Sequence, residues 1–145
     1  MPSWVSAGCD DYSKRLPREY AFEMVEIPLG QRVKGQPPGK AVQQESEAML
    51  AQIDARDWVI ALEVAGASWS TEALAAHLGR WQMDGRNLVF MIGGPDGLGP
   101  ACRQRANQQW SLSALTLPHP VVRIVLVEQL YRAWSILNHH PYHRA

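Results

Sequence analysis

Cysteine is scarce in this sequence and unpaired: Cys9 and Cys102 stand far apart, with no CxxC spacing. That excludes a disulfide framework and a thiolate zinc site, and it suits a reducing, cytoplasmic setting. Long apolar runs are missing too, since no stretch reaches the ~18 residues needed to cross a bilayer. The first twenty residues carry Asp10, Asp11, Lys14, Arg15 and Arg18 and no apolar h-region, so neither a signal peptide nor a membrane partner is expected. Net charge is absent as well: 14 Lys and Arg balance 14 Asp and Glu, which argues against holding nucleic acid by bulk electrostatics. Acid is lacking in one half only. Up to Asp96 there are thirteen acids against nine bases, whereas from Gly97 onward Glu128 alone faces Arg103, Arg105, Arg123, Arg132 and Arg144, so the halves carry about −4 and +4. The basic half also holds His119, His139, His140 and His143. Either an anionic partner meets that half, or its arginines merely solvate helix faces.

What is present suffices for one domain over residues 1–145, because 46% of the chain is apolar, well above disordered compositions. Trp4, Val5, Tyr12 and Leu16 predict a short amphipathic helix with Ser3 as N-cap and an end before Pro17. Residues 21–27, AFEMVEI, alternate apolar and acidic positions and stop at Pro28, which predicts a strand near a sheet edge. The Gly- and Pro-rich residues 30–40 read as a loop: a connector, a lid or an RNA-contacting segment. A helix with one buried stripe is expected over residues 41–53. Trp58 to Val64 then form a nearly continuous apolar strand, buried on both faces. Ser70 caps the next helix, whose buried face is Leu74, Ala75, Leu78 and Trp81, with His77 at its boundary.

The stretch from 88 to 120 organises the rest. Leu88-Val89-Phe90-Met91-Ile92 is a short buried strand that stops at Gly93-Gly94-Pro95-Asp96-Gly97. Glycines there leave no Cβ between the main chain and whatever lies against it, and Pro95 holds the loop open. A helix over residues 100–109 leads to a second turn-rich segment at 111–120. Strands alternating with helices imply an α/β fold with a mainly parallel sheet. The two loops, at the ends of neighbouring strands, should line a pocket at the carboxyl edge of that sheet. Pro120 starts the longest helix, 121–138, in which Glu128 precedes Arg132 by one turn. Its apolar coat is too wide for a monomer's surface helix, so part of it is expected to face a second subunit or to be buried deep in the sheet.

The segments IGGPDGLGPACRQRA, WSLSALTLPHPVVRIVLVEQLYRAWSI and HPYHR, with PSWV, LPREY, VEIP, ALEVAG, STEALA and RNLVFMIGG before them, closely resemble the SPOUT-superfamily methyltransferases that modify N3 of a pseudouridine in 23S large-subunit ribosomal RNA. The resemblance covers essentially the whole chain. It implies a trefoil-knotted α/β fold, an exception to unknotted topology, and a homodimer. It also implies an S-adenosylmethionine site built from Leu62 and Glu63, from Gly93 and Gly94, and from Ser113, Ala114, Leu115, Thr116, Leu117 and Pro118. The family begins with a further strand that this sequence lacks before Met1-Pro2-Ser3-Trp4-Val5, so a free sheet edge or core face is expected.

For the reaction itself the resemblance points to the tail His139-His140-Pro141-Tyr142-His143-Arg144. Tyr142 and Arg144 are expected to position a base or stabilise the anionic imide, with His119, His143 and Arg123 next. An arbitrary tail would simply fray. A metal there is not expected, because Pro141 breaks any helix aligning His139 with His143 and no carboxylate or cysteine adjoins them. GGPDGLG has neither the GxGxxG spacing of a dinucleotide site nor the GK[ST] ending of a P-loop. Zero net charge predicts RNA recognised within the assembled ribosome, by shape and few phosphate contacts. Two competing readings are a non-catalytic RNA-binding or ribosome-associated module with the same fold, and an unrelated small-molecule methyltransferase.

Overall fold

A computed structural model describes residues 1–144. Three parallel strands form a sheet in the order β2-β1-β3, with β1 at Trp58–Ser68, β2 at Leu88–Met91 and β3 at Gln108–Ser111. The helices are α1 (Ser3–Ser13), α2 (Gly39–Leu50), α3 (Thr71–Asp84), α4 (Pro100–Arg105) and α5 (His119–Leu137). Alternation along β1 sends Ile60 into a core with Leu74, Leu78 and Trp81 of α3 and Leu126, Leu130 and Ala133 of α5. Val59 and Ala61 face the other way, against Met91, Leu98 and Cys102, with Met49 and Leu50 of α2 beside them. The α/β class with a parallel sheet covered by helices is therefore as expected. Ser70 caps α3 by accepting from the Ala73 amide at 3.0 Å, and Gly85 ends that helix in the left-handed region at φ 78°.

The centre of the sheet is irregular. Leu62 and Ala67 of β1 both register against Trp110, so residues 63–66 bulge out between them. Gly66 makes the bulge possible, because a Cβ there would lie 2.7 Å from the main chain of Gln109 and Trp110. One side chain ties the layers at the other end of β3: Gln108 Oε1 accepts from the indole N–H of Trp58 at 2.8 Å and of Trp81 at 3.0 Å. Replacing Gln108 by leucine leaves both donors unpaired and should lower unfolding free energy by about 2–4 kcal/mol, read from the urea midpoint, since each orphaned donor costs about 1–3 kcal/mol.

Several expectations are corrected. Residues 21–27 form no strand: Phe22 and Met24 do turn inward, but toward the helical layer, and among the described residues no neighbouring strand offers a ladder. Ser3 is the first helical residue of α1, not its cap; Pro2 holds the cap position and no side chain bonds the free amides. The helix predicted over 100–109 ends at Arg105, because β1 captures the next residues: Asn107 N–H donates to the Val59 carbonyl at 2.8 Å, and its side chain accepts from the Val59 amide at 2.9 Å. Helix α5 starts at His119, one turn position ahead of Pro120. Part of its apolar coat is covered by α1 and α3, which flank it over the sheet, and every residue from His119 to Leu137 is buried or half-buried. The glycine loop and the 111–118 loop follow strands that are not neighbours; β1 lies between them.

Candidate active site

Because all three strands are parallel, the loops that follow β2 and β3 leave on one edge of the sheet, whereas Leu62 and Glu63, expected at a strand end, lie within β1 where its bulge begins, since the strand runs on to Ser68. After β2 the chain makes a tight turn, closed by the Gly97 amide donating to the Gly94 carbonyl at 3.0 Å, with Gly97 at φ 77°. The turn is shut rather than held open by Pro95. Gly93 is required by the turn itself, since a Cβ there would sit 2.6 Å from the Gly97 carbonyl carbon. At Gly94 a Cβ would meet Glu45 Oε1 of α2 at 3.4 Å and Leu29 at 3.6 Å, so that flank already has an occupant from the chain.

The segment after β3 is open by comparison. Ser111 Oγ donates to the Ser113 carbonyl and Ser113 Oγ accepts from the Leu115 amide, both at 2.9 Å, which fixes the first bend. Beyond it Ala114, Leu115, Thr116 and Pro118 are exposed, Leu115 at 70%. Among the described residues nothing hydrogen-bonds the Thr116 or Leu117 amides. On β1, Leu62 is half-buried opposite Trp110, and Glu63 follows at the start of the bulge. Glu63 Oε1 lies 3.7 Å from Arg103, is buried, and has no hydrogen-bond partner.

The expected pocket between the two loops is corrected as well. A cleft of about 570 Å³ lies between α2 and the chain from Asp96 to Arg103, lined by Val42, Ser46 and Leu98 among others. A smaller one, about 10 Å³, touches Gly93, Gly94 and Gly97. Neither includes residues 113–118, because the central strand separates the two loops.

The predicted catalytic residues fall into two groups along α5. His119 is half-buried at its start; burial first, and Arg123 second, lower its pKa, and its Nδ1 is buried without a partner. Arg123 pairs with Glu26 at 3.1 Å, and Glu26 also meets the Met1 ammonium at 3.3 Å. The tail forms the second group, returned along α5 by a reversal in which His139 adopts φ 54°. Tyr142 donates its hydroxyl to Glu128 Oε2 at 2.9 Å, packs on Tyr131 with centroids 4.6 Å apart, and lies under the Arg132 guanidinium at 4.7 Å. His143 meets Glu72 of α3 and Arg132, each at 3.2 Å. Arg144 is exposed and makes no ion pair among the described residues. At about 1.5 Å rise per residue, Glu128 lies roughly 13 Å along the helix from His119.

No sequence motif ties Glu128, Glu72 or Arg132 to the site. The spacing of Glu128 and Arg132 signalled an ion pair, present at 2.8 Å, but only the fold reveals that this pair anchors the tail. The charge asymmetry between halves is reduced for a related reason: Arg103, Arg123 and Arg132 pair with Glu63, Glu26 and Glu128, while Arg105 bonds the carbonyls of Asp54 and Asp57 and keeps its charge.

Titration follows from these contacts. Burial pushes the Glu128 carboxyl up, but hydrogen bonds from Arg132, Tyr142 and Gln129 outweigh it and hold the group below the ordinary glutamate value. Glu72 is lowered too, by its own amide first and by His143 second. Burial, then Glu128, pushes Tyr142 up to about 12. Carboxyls lowered in the fold contribute stability that is complete above their unfolded pKa, about 4.3, and is lost as pH falls through the folded values. The nuclear Overhauser contact between the Tyr142 and Tyr131 rings should therefore be present at neutral pH and be lost only once the pH has fallen below the ordinary glutamate value. Persistence of that contact in strong acid, in an otherwise folded protein, would contradict the anchoring.

Comparison with known proteins adds one consistent result. Residues 1–143 match the family described as "Predicted SPOUT methyltransferase". A protein of Marinomonas sp. (strain MWYL1) named "Ribosomal RNA large subunit methyltransferase H" is 54% identical over 144 residues, covering 99% of this chain and 93% of that one. Proteins of the same name from Chromohalobacter salexigens and Hahella chejuensis are 56% and 54% identical over 144 residues, covering 93% and 92% of their lengths.

Proposed function

The chain belongs to the SPOUT methyltransferase family, and from that premise we propose that it transfers a methyl group from S-adenosylmethionine to N3 of a pseudouridine in 23S ribosomal RNA, on the assembled large subunit in the cytoplasm. The observation that carries this reading is identity above one half, over 99% of the chain, to proteins named for large-subunit ribosomal RNA methylation. Their aligned length takes in the glycine turn, the 111–118 loop and nearly all of the tail.

The residues at the sheet edge suit the cofactor. Leu62 and Leu115 offer apolar surface to an adenosyl group, Glu63 carries a buried oxygen lacking a donor, and the Thr116 and Leu117 amides have no partner among the described residues. When bound, S-adenosylmethionine supplies an electrophilic methyl on its sulfonium. The chain must hold the acceptor in line and manage the proton on N3, since a protonated imide nitrogen is a poor nucleophile. His119 is suited to accept that proton, because its lowered pKa keeps the ring neutral at neutral pH. Tyr142, pushed up to about 12, stays protonated and acts as a donor, never as a phenolate base. Arg144 and Arg123 supply positive charge to the imide anion, and His143 sets the tail through Glu72. The distance between the His119 group and the tail in one chain supports a homodimer in which the tail of one copy serves the other's site.

The test is incubation of purified protein with labelled cofactor and ribosomes from cells lacking the activity, followed by mapping of the label. Label on N3 of one pseudouridine of the large-subunit RNA is expected. Binding to ribosomes without methyl transfer would instead identify a non-catalytic module, and transfer independent of RNA a small-molecule enzyme.

A further inference from the structure

The loop 30–38 looks like a plain connector in sequence, yet its one inward-reaching cation sits where the glycine turn is held. Gly30 lies hard against α2, where a Cβ would come within 2.4 Å of the Ala41 carbonyl, and its amide donates to Glu45 Oε2 at 2.9 Å. Two residues on, Arg32 spans two elements. Its Nη1 meets Glu45 Oε2 at 2.8 Å and the Gly30 carbonyl at 3.2 Å, and its Nε meets Asp96 Oδ2 at 2.9 Å. The side chains of Arg32 and Glu45 are only 28% and 11% exposed, so this is not a loose surface pair. Hydrogen bonding to Arg32 keeps the Glu45 carboxyl below its usual range despite burial.

Asp96 belongs to the turn Gly94-Pro95-Asp96-Gly97, and a Cβ added at Gly94 would meet the Glu45 carboxylate at 3.4 Å. One guanidinium therefore stands between two carboxylates, one on α2 and one on the turn. Without it they face each other across the flank of the turn with no cation between them, and like charges at close range repel.

We infer that Arg32 is a positioning residue for the cofactor site: it bridges Glu45 and Asp96, screening one from the other, and so clamps the turn that carries the Gly93 and Gly94 main chain. The inference rests on the proposed S-adenosylmethionine site but is separable from it. Arg32 touches no reacting group, so its loss should act on cofactor binding and leave the chemical step alone.

The experiment is calorimetric titration of the full chain with S-adenosylmethionine, hydrogen exchange of residues 93–99 without cofactor, and ribosome methylation at saturating cofactor. Arg32→Ala should weaken binding about 10-fold, speed exchange in the turn, and leave kcat within about 3-fold. Arg32→Lys, which can engage only one carboxylate well, should fall between. The diagnostic variant is Arg32→Ala with Asp96→Asn, which removes cation and repulsion together and should bind within about 3-fold of wild type. A thermal shift with binding and exchange unchanged would mark Arg32 as merely structural and overturn the inference, as would a double variant no better than Arg32→Ala. Failure of wild type itself to bind would sink the cofactor reading first; wild-type binding with an unaffected Arg32→Ala sinks this inference alone.

Discussion

Replacing Tyr142 by phenylalanine should lower kcat on ribosomes by about 10²–10³-fold while cofactor affinity stays within about 2-fold. Phenylalanine isolates the hydroxyl, because the ring contacts with Tyr131 and Arg132 do not depend on it. With its pKa pushed up to about 12, the hydroxyl is protonated at any working pH, so the variant removes a donor and not a base. That donor bonds Glu128, and in the proposed reaction it would have to be shared with the imide. Single-turnover rates on saturating ribosomes read the effect. Wild-type turnover in the phenylalanine variant would remove the tail hydroxyl from the chemistry.

Gly93→Ala is the second change with a large expected effect. The added Cβ would meet the Gly97 carbonyl carbon at 2.6 Å and the Leu98 amide nitrogen at 2.7 Å, both main chain and unable to rotate away. The turn must reopen, so cofactor affinity should fall by more than about 10-fold and stability by about 1–3 kcal/mol, the usual cost of overpacking. Gly94→Ala is the comparison. There the nearest atom is the end of the Glu45 side chain at 3.4 Å, and the loss should be several-fold smaller. Equal effects of the two variants, in calorimetry and urea unfolding, would contradict the closed turn.

Much of the fold was readable because it is local. The buried stripe of α3 at Leu74, Ala75, Leu78 and Trp81 is as periodicity predicts, and so is the cap at Ser70. Composition also predicts a strand from Trp58, but burial on both faces holds only for Val59, Ile60 and Ala61; Val64 is exposed beyond the start of the bulge. Residues 21–27 went the other way: alternation reports which side chains turn inward, but a strand also needs a neighbour, and no local signal carries that. Spacing placed the glycine turn and the 111–118 loop at strand ends, yet the order of strands that puts β1 between them is a long-range property. The same holds for the site's support. Nothing in the segment GQRVKGQPPGK reveals that Arg32 meets Glu45 and Asp96, thirteen and sixty-four positions away. Nor does the periodicity of α5 reveal that Glu128 receives the tail hydroxyl.

The cofactor is expected along the side of the sheet where β2 and β3 end, across the bulge of β1, and the most direct measurement is a crystal structure with S-adenosylmethionine bound. The adenosyl group is predicted to contact Leu62 or Glu63, the main chain of Gly93 and Gly94, and residues 113–118. Density in the cleft between α2 and α4, lined by Val42, Ser46 and Leu98, with the 113–118 loop untouched, would contradict it.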